Sequence, residues 1–203
     1  MIRFLIASPH SGAGKTVVTL AIMRLLRKKG VNFQPAKSGP DYIDPKFHEV
    51  ASGESSVNLD AWAMRKEEIE NLAGSGNLVV EGAMGLFDGA GVSGVGSSAD
   101  LAKILSLPVI LVIDSGKTAH SIAAIVQGFK SFDNHVTVAG VILNRVASDR
   151  HLNILRAALS KIDVPLLGFL FKSNIFSLSE RHLGLVQASE KQNLEHWIDI
   201  VSE

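Results

Sequence analysis

Apolar residues along the chain follow two rhythms. Short runs at Ile2, Phe4, Leu5 and Ile6, at Leu78-Val79-Val80, at Val109 to Ile113, at Val136 to Leu143 and at Leu166 to Leu170 are brief and nearly continuous. They read as strands covered on both faces. Val31 to Ala36 predicts a further strand and Val57 to Leu59 a short pairing segment. Between them the spacing lengthens to the helical period: Val17, Val18, Leu20, Ala21, Leu25 and Leu26, then Met64 to Ala73, Ala119 to Phe132 and Asp149 to Lys161. Shorter helices are expected from Lys46 to Ala51 and from a Ser97 or Ser98 cap through Leu105, and a last one from about Ala188 to Val201. Strands alternating with helices predict an α/β fold, a mostly parallel sheet with helices on both faces and ligands beyond the carboxyl ends of its strands.

The polar residues at those ends carry the chemistry. The first run leads into Ala7-Ser8-Pro9-His10-Ser11-Gly12-Ala13-Gly14-Lys15-Thr16 and then directly into a helix. Strand, glycine loop, Lys-Thr and helix together form a phosphate loop of P-loop NTPase type. Gly12 and Gly14 let the backbone N–H groups of Ser11 to Thr16 face phosphate oxygens, Lys15 reaches the terminal phosphates, and the Thr16 hydroxyl suits Mg²⁺. Pro9 stands where the usual pattern has its first glycine, so the approach to the loop is stiffer. Lys37, Glu81, Asp114 and Asn144 end four other strands on the same edge. Glu81 is the candidate carboxylate for the metal, with a capping or loop carboxylate as the competing reading. Asp41 and Asp44 lie with Tyr42 in a loop stiffened by Pro40 and Pro45, and complete the metal shell, bind a second substrate, or hold the turn. The glycine-rich stretch from Gly82 to Gly96, with Asp88, is too long for a simple connector.

Composition narrows the class. The 203 residues suit one α/β domain, 1–203, without linker or repeat, and 46% of them are hydrophobic. Acidic and basic counts are equal at 20 each, which leaves no electrostatic footprint for nucleic acid. No apolar run is long enough to span a bilayer, no signal-peptide pattern precedes the first strand, and Glu190, Glu195, Asp199 and Glu203 make the last segment acidic. Neither membrane nor nucleic acid is expected as a partner, and the cytoplasm is the expected compartment. Cysteine is absent, so the chain offers no thiol nucleophile, and its seven histidines show no metal-ligand spacing.

Taken in order, Ser11-Gly-Ala-Gly-Lys-Thr16, Lys37-Ser-Gly-Pro-Asp-Tyr-Ile-Asp-Pro45, Val80-Glu-Gly-Ala-Met-Gly-Leu-Phe-Asp-Gly89, Asn144-Arg145 and Glu180-Arg-His-Leu-Gly-Leu185 resemble the N-terminal domain of cobyrinic acid a,c-diamide synthases. Dethiobiotin synthetase and the partitioning ATPases are related. The resemblance implies ATP-dependent amidation of corrinoid acetate carboxylates in cobalamin biosynthesis, through an acyl phosphate that ammonia attacks. It implies ATP and Mg²⁺, with Lys15, Lys37, Asp41, Asp44 and Glu81 as the catalytic set and Thr16, Glu81 and Asp44 on the metal. It also implies Asn144 at the nucleotide base and Tyr42, Asp88, Arg181 and His182 around the tetrapyrrole. The resembled enzymes continue into a glutaminase domain with a catalytic cysteine, which these 203 residues lack. The expectation is therefore an ammonia-using ligase domain served by a separate glutaminase subunit, with a homodimer as one option for its assembly. A dethiobiotin-synthetase-like ligase and a partitioning-type nucleotide switch are the alternatives.

Overall fold

The computed structural model describes residues 1–173 and 194–202. In chain order the strands are β1 (Arg3–Ala7), β2 (Gln34–Ser38), β3 (Val57–Leu59), β4 (Leu78–Glu81), β5 (Val109–Asp114), β6 (Val138–Val146) and β7 (Leu166–Phe171). The helices are α1 (Lys15–Lys28), α2 (Asp44–Ser52), α3 (Lys66–Ala73), α4 (Ser98–Ile104), α5 (Ser121–Phe132), α6 (Asp149–Leu159) and α7 (Leu194–Val201). One seven-stranded sheet runs β3-β2-β4-β1-β5-β6-β7, and each of its pairings is parallel. The expected α/β class with helices on both faces is what the chain adopts. Alternation within each strand divides the core. Leu5, Leu78, Val80, Val109 and Leu111 pack on the face carrying α3, α4, α5 and α6, while Ile6, Val79 and Val112 pack on the face carrying α1, α2 and α7. Among the described residues no helix is long and apolar enough to cross a membrane.

Several element boundaries move from their predicted places. The second strand begins at Gln34 rather than Val31, because α1 closes with Gly30 at φ 70° and the Val31 N–H turns back to the Leu26 carbonyl at 3.0 Å. Pro35 is tolerated inside β2 by alternation. The Gln34 N–H bonds Asn77 O toward β4, so the missing N–H faces the other side, where β3 first pairs only at Ala36. α2 starts at Asp44, two residues before the predicted Lys46, since Asp41 Oδ1 accepts the N–H groups of Ile43 (2.8 Å) and Asp44 (3.0 Å) and Pro45 occupies the first turn. α3 starts at Lys66 rather than Met64. Asp60 holds Trp62, Ala63 and Met64 in a turn of their own, and Glu68 Oε2 accepts the Arg65 N–H at 2.9 Å. The sixth strand runs past Leu143 to Val146 through a register shift at which Arg145 takes φ 57°. The predicted last helix is described from Leu194, where Arg24 of α1 pairs with Glu195 and Lys28 meets Asp199 at 3.0 Å.

Candidate functional site

β1, the central strand, delivers the phosphate loop to the carboxyl edge of the sheet. Gly12 and Gly14 take φ of 78° and 96°, and α1 begins at Lys15, so the loop ends on a helix N-terminus. The loop is clamped from below by β6. Asn144, nearly buried, donates from Nδ2 to the Ala13 carbonyl at 2.9 Å and accepts from the Arg145 N–H at 2.9 Å. A Cβ on Gly14 would lie 2.0 Å from Asn144 Nδ2, so this position needs glycine for space as well as for its dihedral.

Lys15 and Thr16 leave the loop in different directions. Lys15 Nζ folds back to donate to the Met84 carbonyl (2.6 Å) and to Ser8 Oγ (3.0 Å), inside the glycine-rich loop after β4. Burial draws its ammonium below the ordinary lysine value, and the Lys37 charge adds to this against the pull of Glu81. Thr16 Oγ1 donates to Glu81 Oε1 at 2.6 Å. Glu81 ends β4, next to β1 in the sheet, and is fully buried.

Around Glu81 the ends of β2 and β4 and the first turns of α2 form one polar cluster. Lys37 Nζ lies 3.3 Å from Glu81 Oε1, pairs closely with Asp44, stands 3.9 Å from Asp41 Oδ2 and donates to Gly82 O at 3.3 Å. The second Glu81 oxygen is 2.7 Å from Nε2 of His48, which is fully buried, and His48 Nδ1 is 3.1 Å from Ser56 Oγ. Burial alone would raise the Glu81 carboxyl, but the Lys37 charge and the bonds from His48 and Thr16 hold it well below the usual range. For Lys37 the burial penalty is outweighed by Glu81 and Asp44, which hold its ammonium above the ordinary value. Asp44 is pushed up to about 6, first by burial and then by the Glu81 charge, despite its pairing with Lys37. Among the described residues no three His, Asp or Glu side chains form an all-protein metal cage. A hydroxyl and a carboxylate 2.6 Å apart beside a phosphate loop are nevertheless the donor set a magnesium ion takes when phosphates and water fill the rest of its shell.

The family model described as the CobQ/CobB/MinD/ParA nucleotide binding domain matches residues 4–186. The chain belongs to this family. Among curated relatives it is 53% identical over 202 residues to the hydrogenobyrinate a,c-diamide synthase of Brucella anthropi, covering 97% of this chain and 46% of that protein. The enzymes of the same name from Rhizobium meliloti (52% over 200 residues, 96% and 46% covered) and Rhodobacter capsulatus (46% over 205 residues, 98% and 47% covered) are also similar. The chain thus spans about half the length of the curated relatives it matches. Among solved structures, chloroplast FtsY from Physcomitrella patens superimposes with a TM-score of 0.59 at 16% identity, covering 98% of this chain and 65% of that one, a likeness of fold alone.

Of the residues singled out in the sequence, Lys15, Thr16, Lys37, Asp41, Asp44 and Glu81 converge on the carboxyl edge of β1, β2 and β4, with Ser11, Gly12, Ala13 and Gly14 as the loop itself. Asp41 doubles as the turn-holder its alternative reading described, since Oδ1 is committed to backbone N–H groups. Asp88 lies in the glycine-rich loop, where Oδ2 accepts the Gly85 N–H at 2.9 Å, and that loop touches the phosphate loop through Leu86 N–H to Ser8 O at 2.9 Å. Tyr42 is 89% exposed on the loop between β2 and α2. Asn144 sits beneath the phosphate loop with both ends of its amide engaged inside the protein. Arg181 and His182 lie outside the described residues. Sequence reading passed over His48, Ser8 and the Met84 carbonyl. Only His48 had a signal to offer, four residues after Asp44 and so on the same helical face.

Proposed function

We propose that these 203 residues are the ATP-using part of an enzyme that amidates acetate carboxylates of a corrinoid, as in the a,c-diamidation for which the relatives are named. The observation that carries this reading is the junction at Glu81. One oxygen of a buried carboxylate, Glu81 Oε1, meets both the phosphate-loop threonine at 2.6 Å and, at 3.3 Å, Lys37, which the Asp41–Asp44 segment holds. Nucleotide and acceptor carboxylate would meet across that junction, which is what phosphoryl transfer to a carboxylate requires.

In this mechanism Lys15 leaves the Met84 carbonyl to donate to the terminal phosphate oxygens, and the backbone N–H groups of residues 11–16 hold the remaining charge. Thr16 and Glu81 would hold magnesium, with Asp44 at the edge of its shell; the ion's chemistry is to neutralise charge on the transferring phosphoryl group. Lys37, already ionised and aimed into the cluster, exchanges part of its carboxylate company for the acceptor carboxylate and orients its oxygen toward the phosphorus. That oxygen takes the phosphoryl group, ADP leaves, ammonia attacks the acyl carbon, and phosphate departs with the former carboxylate oxygen. Tyr42 and Asp88, on the loop between β2 and α2 and in the glycine-rich loop, contact the macrocycle and its side chains. Asn144 holds the phosphate loop from below through the Ala13 carbonyl, and its amide is the group that would meet the nucleotide base.

Ammonia comes from outside this stretch of chain, since none of the 203 residues is a cysteine. The test is mass spectrometry of hydrogenobyrinate incubated with the protein, ATP and magnesium, with ammonium or glutamine as nitrogen source. The expected result is mono- and diamide with ammonium, ADP in step with amide, and no product with glutamine until a glutaminase is added. Amide formed from glutamine by this chain alone would overturn the nitrogen assignment. ATP consumption with ammonium and corrinoid present, but without amide, would overturn the ligase reading.

A further inference from the structure

His48 is the one member of the cluster that neither the phosphate-loop chemistry nor the acceptor chemistry uses. It is fully buried on the second turn of α2, with both ring nitrogens engaged: Nε2 at 2.7 Å from Glu81 Oε2 and Nδ1 at 3.1 Å from Ser56 Oγ. An ionised carboxylate only accepts, so Nε2 carries the proton and donates. The two oxygens of Glu81 are thereby given separate tasks. Oε2 is taken by His48, while Oε1 is turned to Thr16 Oγ1 at 2.6 Å and Lys37 Nζ at 3.3 Å. A glutamate side chain has several staggered rotamers, and the bond from His48 to Oε2 favours the one that turns Oε1 to Thr16.

We propose that His48 is a positioning residue that orients Glu81 toward Thr16 and the metal, and so ties the acceptor loop to the nucleotide centre. The proposal rests on the reading of Glu81 as the magnesium carboxylate. The tie follows from helical spacing: Asp44 and His48 are one turn apart on α2, and from that face Asp44 reaches Lys37 while His48 reaches Glu81. Rotation or withdrawal of α2, whose first turn continues the Asp41-Tyr42 loop, would therefore disturb the metal carboxylate. A partner that fixes a ligand's orientation from behind typically accounts for ~10- to 100-fold in metal affinity.

The experiment compares the wild-type protein with His48→Leu, His48→Gln and Glu81→Gln. ATP binding is measured by calorimetry in EDTA and across a magnesium titration, and bound Mn²⁺ is counted by electron paramagnetic resonance. Leu keeps the volume and removes the donor; Gln offers a donor at about the reach of Nε2. The expected result for His48→Leu is a rise of ~10- to 100-fold in the metal concentration giving half-maximal ATP binding, with metal-free ATP affinity within about 2-fold of wild type. His48→Gln should recover most of the loss. Equal weakening with and without metal in His48→Leu, or full metal coupling in that variant, would overturn the proposal, and His48→Ala, which also lacks the donor, takes its place if the Leu variant does not fold. Unchanged metal dependence in Glu81→Gln would remove the magnesium reading itself and the proposal with it. Coupling lost in Glu81→Gln yet kept in both His48 variants would remove the His48 role alone.

Discussion

Replacing Glu81 by glutamine keeps the side-chain volume and removes one buried negative charge from contact with Thr16, His48 and Lys37. Hydrogen bonds to a charged group contribute about 1.5–3 kcal/mol each and neutral ones about 0.5–1.5, so weakening these contacts costs about 3 kcal/mol in all. Two terms oppose that loss: the buried anion no longer needs desolvating, and its repulsion of Asp44 disappears. The amide can still accept from Lys37 or Thr16. The net change in folding stability should therefore be modest, within about 2 kcal/mol of wild type by urea denaturation. Magnesium, by contrast, would lose its buried anionic ligand, and the magnesium-dependent gain in ATP affinity should fall by about 100-fold, or about 2.7 kcal/mol. The Asp44 carboxyl, freed of its charged neighbour, should move down toward the ordinary aspartate range, which carbon-detected NMR titration reads directly. A stability loss above about 4 kcal/mol with the magnesium effect intact would refute the reasoning, because that pattern belongs to a carboxylate whose work is structural.

Three further outcomes follow from other parts of the site. Gly14→Ala places a Cβ 2.0 Å from Asn144 Nδ2 at φ 96°, and should abolish nucleotide binding by calorimetry while lowering stability by about 1–3 kcal/mol; retained ATP affinity would contradict the clamp. Tyr42→Ala, at a residue 89% exposed, should leave stability within about 0.5 kcal/mol and ATP affinity unchanged while raising the KM for corrinoid; loss of ATP binding would take Tyr42 out of the acceptor site. In metal-free protein the folded-state value of Asp44, about 6, exceeds its unfolded value. The stability that Asp44 contributes is thus fully present below the unfolded value and is lost as pH rises through 6. Asp44→Asn lacks that loss, so its melting temperature relative to wild type should rise between pH 4.5 and 7, and parallel curves would contradict the assignment.

The sheet was legible in the sequence because most of its strands are short apolar runs, β2 excepted, and its longer helices are periodic, and the phosphate loop because glycine spacing, Lys15 and Thr16 carry the chemistry within one hexapeptide. Strand ends also placed Lys37 and Glu81 on one edge. What stayed hidden are pairings across long stretches of chain. His48 meets Glu81 from 33 residues away, Lys15 turns to a backbone carbonyl 69 residues on, and Asn144 grips the loop across 131 residues. Apart from the helical spacing of His48 from Asp44, none of these leaves a local pattern. Boundaries shifted where a side chain outside the periodic stretch claimed backbone groups, as Asp41 does for α2 and Asp60 before α3. For Asn144 the resemblance implied a place at the nucleotide base, and the fold adds contacts with the Ala13 carbonyl and the Arg145 N–H that no local pattern announces.

The central claim is that the Glu81 junction joins ATP to a carboxylate, and the path of one oxygen atom tests it most directly. Hydrogenobyrinate labelled with ¹⁸O in its acetate carboxylates is incubated with the protein, ATP, magnesium and ammonium, and the released phosphate is analysed by mass spectrometry or ³¹P NMR. Phosphoryl transfer to the carboxylate followed by attack of ammonia predicts one ¹⁸O in inorganic phosphate for each amide formed. Amide accompanied by unlabelled phosphate, or by label in AMP, would contradict the account.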